Sequence, residues 1–213
     1  MFIVKRLSSH FCSHIQRFRS SCFFSSQANN VDDFLPNDAS IIIIGGGIIG
    51  TSIAYHLAKM GKKNVILLEK DQLTSGTTWH AAGLCNTFGS LSETQTEIRK
   101  YTRHLYEHIL EEETGHSTGF IRTGFIELAT NKDRVEEFRR VAAFNRKCGV
   151  NVEEITAKQV KELFPLCRID DIEAGFYVPD DGRVNPVDVT MSLAKGAQKY
   201  GAQIYENITV DNI

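Results

Sequence analysis

Apolar side chains come in two rhythms along this chain. Ile41-Ile42-Ile43-Ile44 is a continuous β-branched run, which predicts a short strand buried on both faces. From Ile48 to Met60 the spacing turns helical, with Ile49, Ile53, Leu57 and Met60 on one stripe and Gly61 as a left-handed stop. Asn64 to Leu68 is apolar again and predicts a second strand, ending at Glu69. Residues 90–114 read as a long helix, with Ser90 and Glu93 as a capping box and Ile98, Tyr101, Leu105 and Ile109 as the buried stripe. Gly119 to Thr130 is extended, with apolar points at Phe120, Phe125, Ile126 and Leu128. Asn131 to Cys148 is an amphipathic helix on Val135, Phe138 and Ala142, and Val150 to Ile155 is a strand. Thr156 with Gln159 caps a short helix through Val160, Leu163 and Phe164, which Pro165 breaks. Ala174 to Val178 is extended and Asp180-Asp181-Gly182 turns. Asn185 and Pro186 then open a helix along Val189, Leu193 and Ala197. Gly201 stops it, Ala202 to Tyr205 begins a strand, and another strand is expected around Val210.

The chemistry sits between the first strand and its helix. Gly45-Gly46-Gly47-Ile48-Ile49-Gly50 contains G-x-G-x-x-G at Gly45, Gly47 and Gly50. Gly45 permits the tight turn, Gly47 lets a pyrophosphate approach the backbone, and Gly50 lets the helix lie close on the sheet. Unpaired N–H groups and the dipole at the helix start then hold negative charge. Glu69 lies 19 residues after Gly50, where an acid accepts hydrogen bonds from an adenosine ribose. An acid there argues against a ribose 2′-phosphate, and so against NADP. A bare glycine motif is weak, but strand, helix, strand and acid at these spacings make it a dinucleotide site.

Leu73 to Leu84 follows with Thr74, Ser75, Gly76, Thr77, Thr78, Trp79, His80, Ala81, Ala82 and Gly83. It is too rich in small residues for a plain helix and too irregular for a strand. Loops at the carboxyl end of a parallel strand sit over the nucleotide crevice. Hydroxyls, glycines and alanines suit a loop laid against a large flat ligand, and His80 is the residue to explain.

Composition adds a leader and removes several classes. Residues 1–30 carry Lys5, Arg6, Arg17 and Arg19, no acid and many serines, the makeup of a mitochondrial transit peptide. Val4, Leu7, Phe11, Ile15, Phe18 and Cys22 would share one side of a helix there, with cleavage between Ser20 and Asn30. The remainder holds 20 basic and 26 acidic residues, which gives no electrostatic case for nucleic acid. Cys12, Cys22, Cys85, Cys148 and Cys167 have no zinc spacing and read as reduced, mostly buried thiols. No apolar run reaches membrane-spanning length. His104 and His108 share a helix face, but no third ligand is evident, so they read as surface or packing residues and no metal is expected. One βαβ unit with one helix–strand return is half of a doubly wound sheet, so the chain reads as the front of a longer protein.

The glycine turn, Glu69-Lys70 and the stretch Leu73 to Gly83 resemble the FAD-dependent dimethylglycine and sarcosine dehydrogenases, in the D-amino-acid-oxidase-like flavoprotein superfamily. Leu110 to Gly115, Leu163-Phe164-Pro165 and Val178-Pro179-Asp180-Asp181-Gly182 continue the resemblance over essentially everything after the leader. The fold it implies is α/β, a Rossmann-like FAD-binding domain with a parallel sheet and part of an inserted α+β substrate-side domain. Residues 38–87 would form the FAD-binding unit and flavin loop, 88–183 the insertion, and 184–213 the return. The activity it implies is oxidative demethylation of an N-methylglycine by hydride transfer to flavin, in the mitochondrial matrix, with electron-transferring flavoprotein as acceptor. Family members are longer and carry a C-terminal folate-binding region, so folate is not assigned to these residues.

The resemblance also implies roles. His80 matches the histidine bonded covalently to the flavin 8α-methyl; the alternative is a histidine that only packs at the flavin edge. The N–H groups of Ile48 and Ile49 would face the pyrophosphate, Glu69 would hold the ribose, Lys70 would lie beside the adenine, and Gly76, Thr77, Thr78, Trp79, His80, Ala81, Ala82, Gly83 and Leu84 would line the flavin. No catalytic residue is assigned, since nothing singles out His104, His108 or Tyr177. Alone, the chain is expected to bind FAD poorly and to be inactive. A second reading is non-enzymatic: Arg122-Thr123-Gly124 is similar to the regulatory subunit of pyruvate dehydrogenase phosphatase, a branch that does not keep the flavin-linking histidine. A third is an oxidase that passes electrons to oxygen. No residue decides between dimethylglycine and sarcosine, which differ by one methyl.

Overall fold

The computed structural model describes residues 3–7, 15–16 and 35–212. Strands β1 (Ile3–Leu7) and β2 (Ile15–Gln16) come first, followed by β3 (Ala39–Ile44), α1 (Ile48–Lys59) and β4 (Val65–Leu68). A 3₁₀ turn covers Thr77–His80, and β5 is Leu84–Cys85. Helix α2 (Glu93–His104) passes through a π turn (Leu105–Ile109) into α3 (Leu110–Thr114). Then come β6 (Phe125–Ala129), α4 (Lys132–Lys147), β7 (Glu153–Ile155), α5 (Ala157–Leu163), β8 (Ala174–Val178) and β9 (Gly182–Arg183). Helix α6 (Pro186–Lys199), β10 (Gln203–Tyr205) and β11 (Thr209–Val210) complete the order.

The chain forms two compact units. The first comprises residues 1–82, 110–117 and 186–213. Its sheet has the order β1-β3-β4-β10. β3 and β4 run parallel, Ile41 opposite Val65 through Ile44 opposite Leu68, and β10 continues parallel on β4. The two strands separated by α1 are therefore neighbours, as a βαβ crossover requires. Ile43, Leu67 and Leu68 are almost wholly buried, and Val189, Leu193 and Ala197 of α6 are fully so.

The second unit comprises residues 83–109 and 118–185. Its antiparallel sheet has the order β6-β8-β7, with Phe125 opposite Val178 and Ile155 opposite Gly175. Alternate residues Ala174, Phe176 and Val178 point into a core with Val135, Val141 and Ala142 of α4 and with Phe88. Phe88 stacks on Phe176 at 6.0 Å between centroids. The short pair β5-β9 lies in this unit as well.

Several expected faces are not the buried ones. Helix α1 buries Gly50, Thr51, Ala54, Tyr55 and Ala58, whereas Ile49 and Met60 are 63% and 73% exposed. The reason is closeness: Gly50, Thr51, Ala54 and Ala58 let the helix lie tight on its neighbours, and Tyr55 is the one large side chain at the contact. Gly196 of α6 shows the same constraint, since a Cβ there would stand 2.7 Å from the Tyr55 ring. Helix α2 starts at Glu93 rather than residue 90; Ser92 is its cap, accepting from Gln95 N–H at 3.4 Å. Ile98 and Tyr101 are exposed, and the buried residues are Thr96, Leu105 and Leu110. The π turn carries one extra residue and breaks the 3.6-residue stripe. In α5 only Val160 is buried; Leu163 and Phe164 are about half exposed.

The helix expected in residues 1–30 is not found where they are described. Ile3–Leu7 is a strand antiparallel to β3, and Ile15–Gln16 pairs with β11, so these residues are not helical. Backbone groups of β3 on the side away from β4 need partners, and β1 supplies them. The expected cleavage region, Ser20 to Asn30, lies outside the described residues.

Candidate functional site

The glycine turn joins β3 to α1 within the first unit, at the carboxyl end of the parallel strands. Gly45 adopts φ +106°, a left-handed conformation that L side chains rarely take. Gly50 has no room for one: a Cβ there would lie 1.9 Å from the Gly45 carbonyl oxygen. The helix cap, Gly47, has no side chain to satisfy the first N–H groups, and the first turn holds no acid. The first intrahelical bond is Thr51 N–H to Gly47 O, at 3.0 Å, so Ile49 and Gly50 N–H stand ahead of the ladder. This helix start carries the positive end of the dipole, its cap residue has no side chain and its first turn has no acid, which fits a diphosphate at the Ile49 and Gly50 N–H groups.

Ile48 N–H, expected to face the pyrophosphate, is instead given to Thr78 Oγ1 at 3.1 Å. Thr78 is buried although its neighbours Ser75 to Thr77 and Trp79 to Ala82 are exposed. The loop is tied down again by Thr74 N–H to Gly46 O, at 3.2 Å. Ala81 N–H to Thr78 O, at 3.1 Å, closes the 3₁₀ turn. The Trp79 and His80 rings lie 3.9 Å apart and tilted by 46°. His80 is exposed at the end of that turn.

Glu69 is buried at the end of β4, and both its oxygens already have partners. Oε2 accepts from Gly46 N–H at 2.5 Å and Oε1 from Asp71 N–H at 3.0 Å. A carboxylate has about four acceptor positions, so capacity for a ribose remains. Its bond to Gly46 is a role the sequence did not suggest, because the motif leaves that position open. Lys70 is exposed, with Asp71 Oδ2 at 3.9 Å. Gly83 and Leu84 fall in the second unit, where Gly83 O accepts from Val184 N–H and Leu84 pairs with Arg183.

Other chemically loaded groups serve packing. At the opposite end of α1 from the glycine turn, buried Tyr55 donates to Glu113 at 2.7 Å and accepts from Lys59 at 2.8 Å. Burial pushes its phenol up to about 12, with the Lys59 bond pulling the other way. In the second unit, buried Asp181 accepts from Thr87 N–H (2.7 Å), Thr87 Oγ1 (2.8 Å) and Arg103 (3.2 Å). Burial, assisted by Asp181, pushes the Cys85 thiol up to about 11, which leaves it a poor nucleophile at neutral pH. Cys85 is buried, while Cys148 and Cys167 are only partly so. His104 and His108 are exposed with rings 5.2 Å apart. Among the described residues no group of three or more His, Cys, Asp or Glu is arranged to hold a metal, and no helix is long and apolar enough to cross a membrane. Tyr177 pairs across the sheet with Ile126 and Glu153, its ring against Gly124.

Residues 40–213 match the FAD dependent oxidoreductase family, which puts the glycine turn, Glu69 and the His80 loop inside the matched region. The chain belongs to this family. It is 47% identical over 163 residues to rat (Rattus norvegicus) dimethylglycine dehydrogenase, mitochondrial, covering 76% of this chain and 19% of that one. It is 40% identical over 179 residues to human (Homo sapiens) sarcosine dehydrogenase, mitochondrial, covering 84% and 19%. It is also 42% identical over 176 residues to the mouse (Mus musculus) pyruvate dehydrogenase phosphatase regulatory subunit, mitochondrial, covering 83% and 20%. The chain thus spans about a fifth of the length of these relatives. Among solved structures, L-proline dehydrogenase from P. horikoshii is similar with a TM-score of 0.71 and 32% identity, covering 78% of this chain and 43% of that one. Membership makes this a flavoprotein oxidoreductase fold, and a helix start with no acid in its first turn suits an FAD diphosphate.

Proposed function

We propose that this chain is the FAD-binding part of a mitochondrial amine dehydrogenase that oxidatively demethylates an N-methylglycine, either dimethylglycine or sarcosine. The observation that carries the reading is the Thr78–Ile48 bond, which fastens the Trp79-His80 turn to the start of the dinucleotide helix. Similarity to both dehydrogenases over three quarters or more of the chain supports it. When bound, FAD supplies a two-electron acceptor for oxidation of the N-methyl group.

The chain's own residues bind and orient. Gly45, Gly47 and Gly50 shape the turn, and the Ile49 and Gly50 N–H groups hold the diphosphate. Ile48 contributes through Thr78 rather than directly. Glu69 holds the ribose while bracing Gly46, and Lys70 lies on the adenine side. Gly76, Thr77, Trp79, Ala81, Ala82, Gly83 and Leu84 line the flavin, small enough to let it approach. His80 would anchor the flavin through an imidazole nitrogen, and its exposure leaves the ring accessible. Electron-transferring flavoprotein is the acceptor in this reading. The basic, acid-free composition of residues 1–30 and the mitochondrial names of the relatives support import, whereas the pairing of Ile3–Leu7 with β3 weighs against a freely removed leader.

The relative that regulates pyruvate dehydrogenase phosphatase supports a second, non-enzymatic reading on the same fold. One experiment separates them. The protein carrying this sequence is purified, its FAD content read by absorbance, and formaldehyde release measured with dimethylglycine and with sarcosine plus an artificial electron acceptor. Formaldehyde from either substrate is the expected result. Flavin-free protein with no turnover on either would put the regulatory reading first.

A further inference from the structure

Thr78 does something the flavin-lining role does not require. Helix α1 lacks a side-chain cap of its own because Gly47 occupies the cap position. The missing cap is supplied 30 residues later, by Thr78 Oγ1 accepting from Ile48 N–H at 3.1 Å. Gly47 leaves the space for it: a Cβ at that position would lie 3.0 Å from the Thr78 hydroxyl. Thr78 is 8% exposed in a loop that is otherwise open from Ser75 to Ala82. Its carbonyl closes the 3₁₀ turn through Ala81 N–H, and His80 is the last residue of that turn. One residue therefore holds the helix start with its side chain and the histidine turn with its backbone. A hydroxyl that accepts from an N–H also keeps its own proton to donate.

We propose that Thr78 is the positioning residue for flavin attachment at His80, capping α1 from a distance so that the diphosphate site and the histidine are held in one fixed relation. The proposal rests on the reading of His80 as the flavin-linking residue: an imidazole nitrogen would lose its proton and replace one hydrogen of the flavin 8α-methyl, and the two electrons released would pass to dissolved oxygen, present throughout the test. It concerns placement rather than chemistry, so its signature is a split between flavin binding and flavin linkage.

The test uses the protein carrying this sequence, prepared without flavin and reconstituted with FAD. Wild type, Thr78→Val, Thr78→Ser and His80→Ala are compared. Total bound FAD is read after gel filtration, and acid-stable flavin is followed in time by fluorescence of the denatured band. Thr78→Val removes the acceptor at nearly constant size, and linkage should slow about tenfold, the order of one lost hydrogen bond, with bound FAD reduced less. Thr78→Ser keeps the hydroxyl and should restore the wild-type rate. If Thr78→Val does not fold, Thr78→Cys, with its weak acceptor, makes the same comparison. Linkage by the Val or Cys variant at the wild-type rate would overturn the role of Thr78 and leave His80 standing. A wild type that binds FAD but never links it would overturn both, through His80.

Discussion

Gly50 is the position where one added methyl group should do most damage. An alanine Cβ there would sit 1.9 Å from the Gly45 carbonyl oxygen, 3.1 Å from its carbon and 3.5 Å from Ile43 Cγ2. Two effects compete. Alanine favours a helix over glycine by about 1 kcal/mol, which would stabilise α1. Against that, overpacking costs about 1–3 kcal/mol, and the upper end applies here because the obstacle is backbone rather than the tip of a flexible side chain. The net loss should be about 2 kcal/mol, or roughly 4–8 °C in Tm for a domain of this size. Relief requires α1 to lift from the sheet or Gly45 to move, and either displaces the N–H groups of the helix start. Gly50→Ala should therefore lose FAD as well as stability. Gly61→Ala is the control at the other end of α1, where φ is +81° and no atom lies within 4 Å. Its cost is the left-handed backbone alone, about 1 kcal/mol, with FAD content unchanged. Thermal melts and flavin absorbance of the two purified variants make the comparison. A Gly50→Ala protein that melts with or above wild type and keeps its flavin would refute the close-packing argument.

Other consequences are equally measurable. Asp181→Asn takes the charge from a buried acceptor of Thr87 and Arg103, and urea unfolding should show a loss of about 3 kcal/mol. Glu69→Gln puts an amide NH₂ where Gly46 or Asp71 N–H now donates, so stability should fall by about 1–2 kcal/mol and flavin should dissociate more readily in equilibrium dialysis. Burial alone would raise the Glu113 carboxyl, but bonds from Lys59 and Tyr55 outweigh it and hold the group below its ordinary value. Its contribution is then present above the unfolded value of about 4.3 and lost as pH falls through the lower folded one. Melts of wild type and Glu113→Gln across that range should differ most near neutrality and converge in acid; a gap that widens in acid would reverse the assignment.

The sequence was most readable where one physical constraint acts alone. The isoleucine run, the β4 strand, the Thr156–Gln159 capping box and the Val189, Leu193 and Ala197 stripe of α6 all stand where the pattern puts them. Patterns failed where small residues or an extra residue changed the geometry. Helix α1 hides Gly50, Thr51, Ala54 and Ala58 with the Tyr55 ring against Gly196, and leaves Ile49 and Met60 exposed, so the contact face is set by close approach and not by the isoleucine spacing. The stripe of α2 breaks at the π turn, which no spacing rule signals. At the site, the glycine motif and Glu69 were legible from spacing. The Gly46–Glu69 bond and the Thr78 cap were not, since each joins residues 23 and 30 positions apart through turns without periodicity.

The central claim, a flavin anchored by His80, meets its most direct test in a denaturing gel. The protein carrying this sequence and its His80→Ala variant are unfolded, run side by side, soaked in acid and examined for flavin fluorescence in the protein band. A fluorescent wild-type band beside a dark variant band is expected. A dark wild-type band, or a variant that fluoresces as brightly, would contradict it.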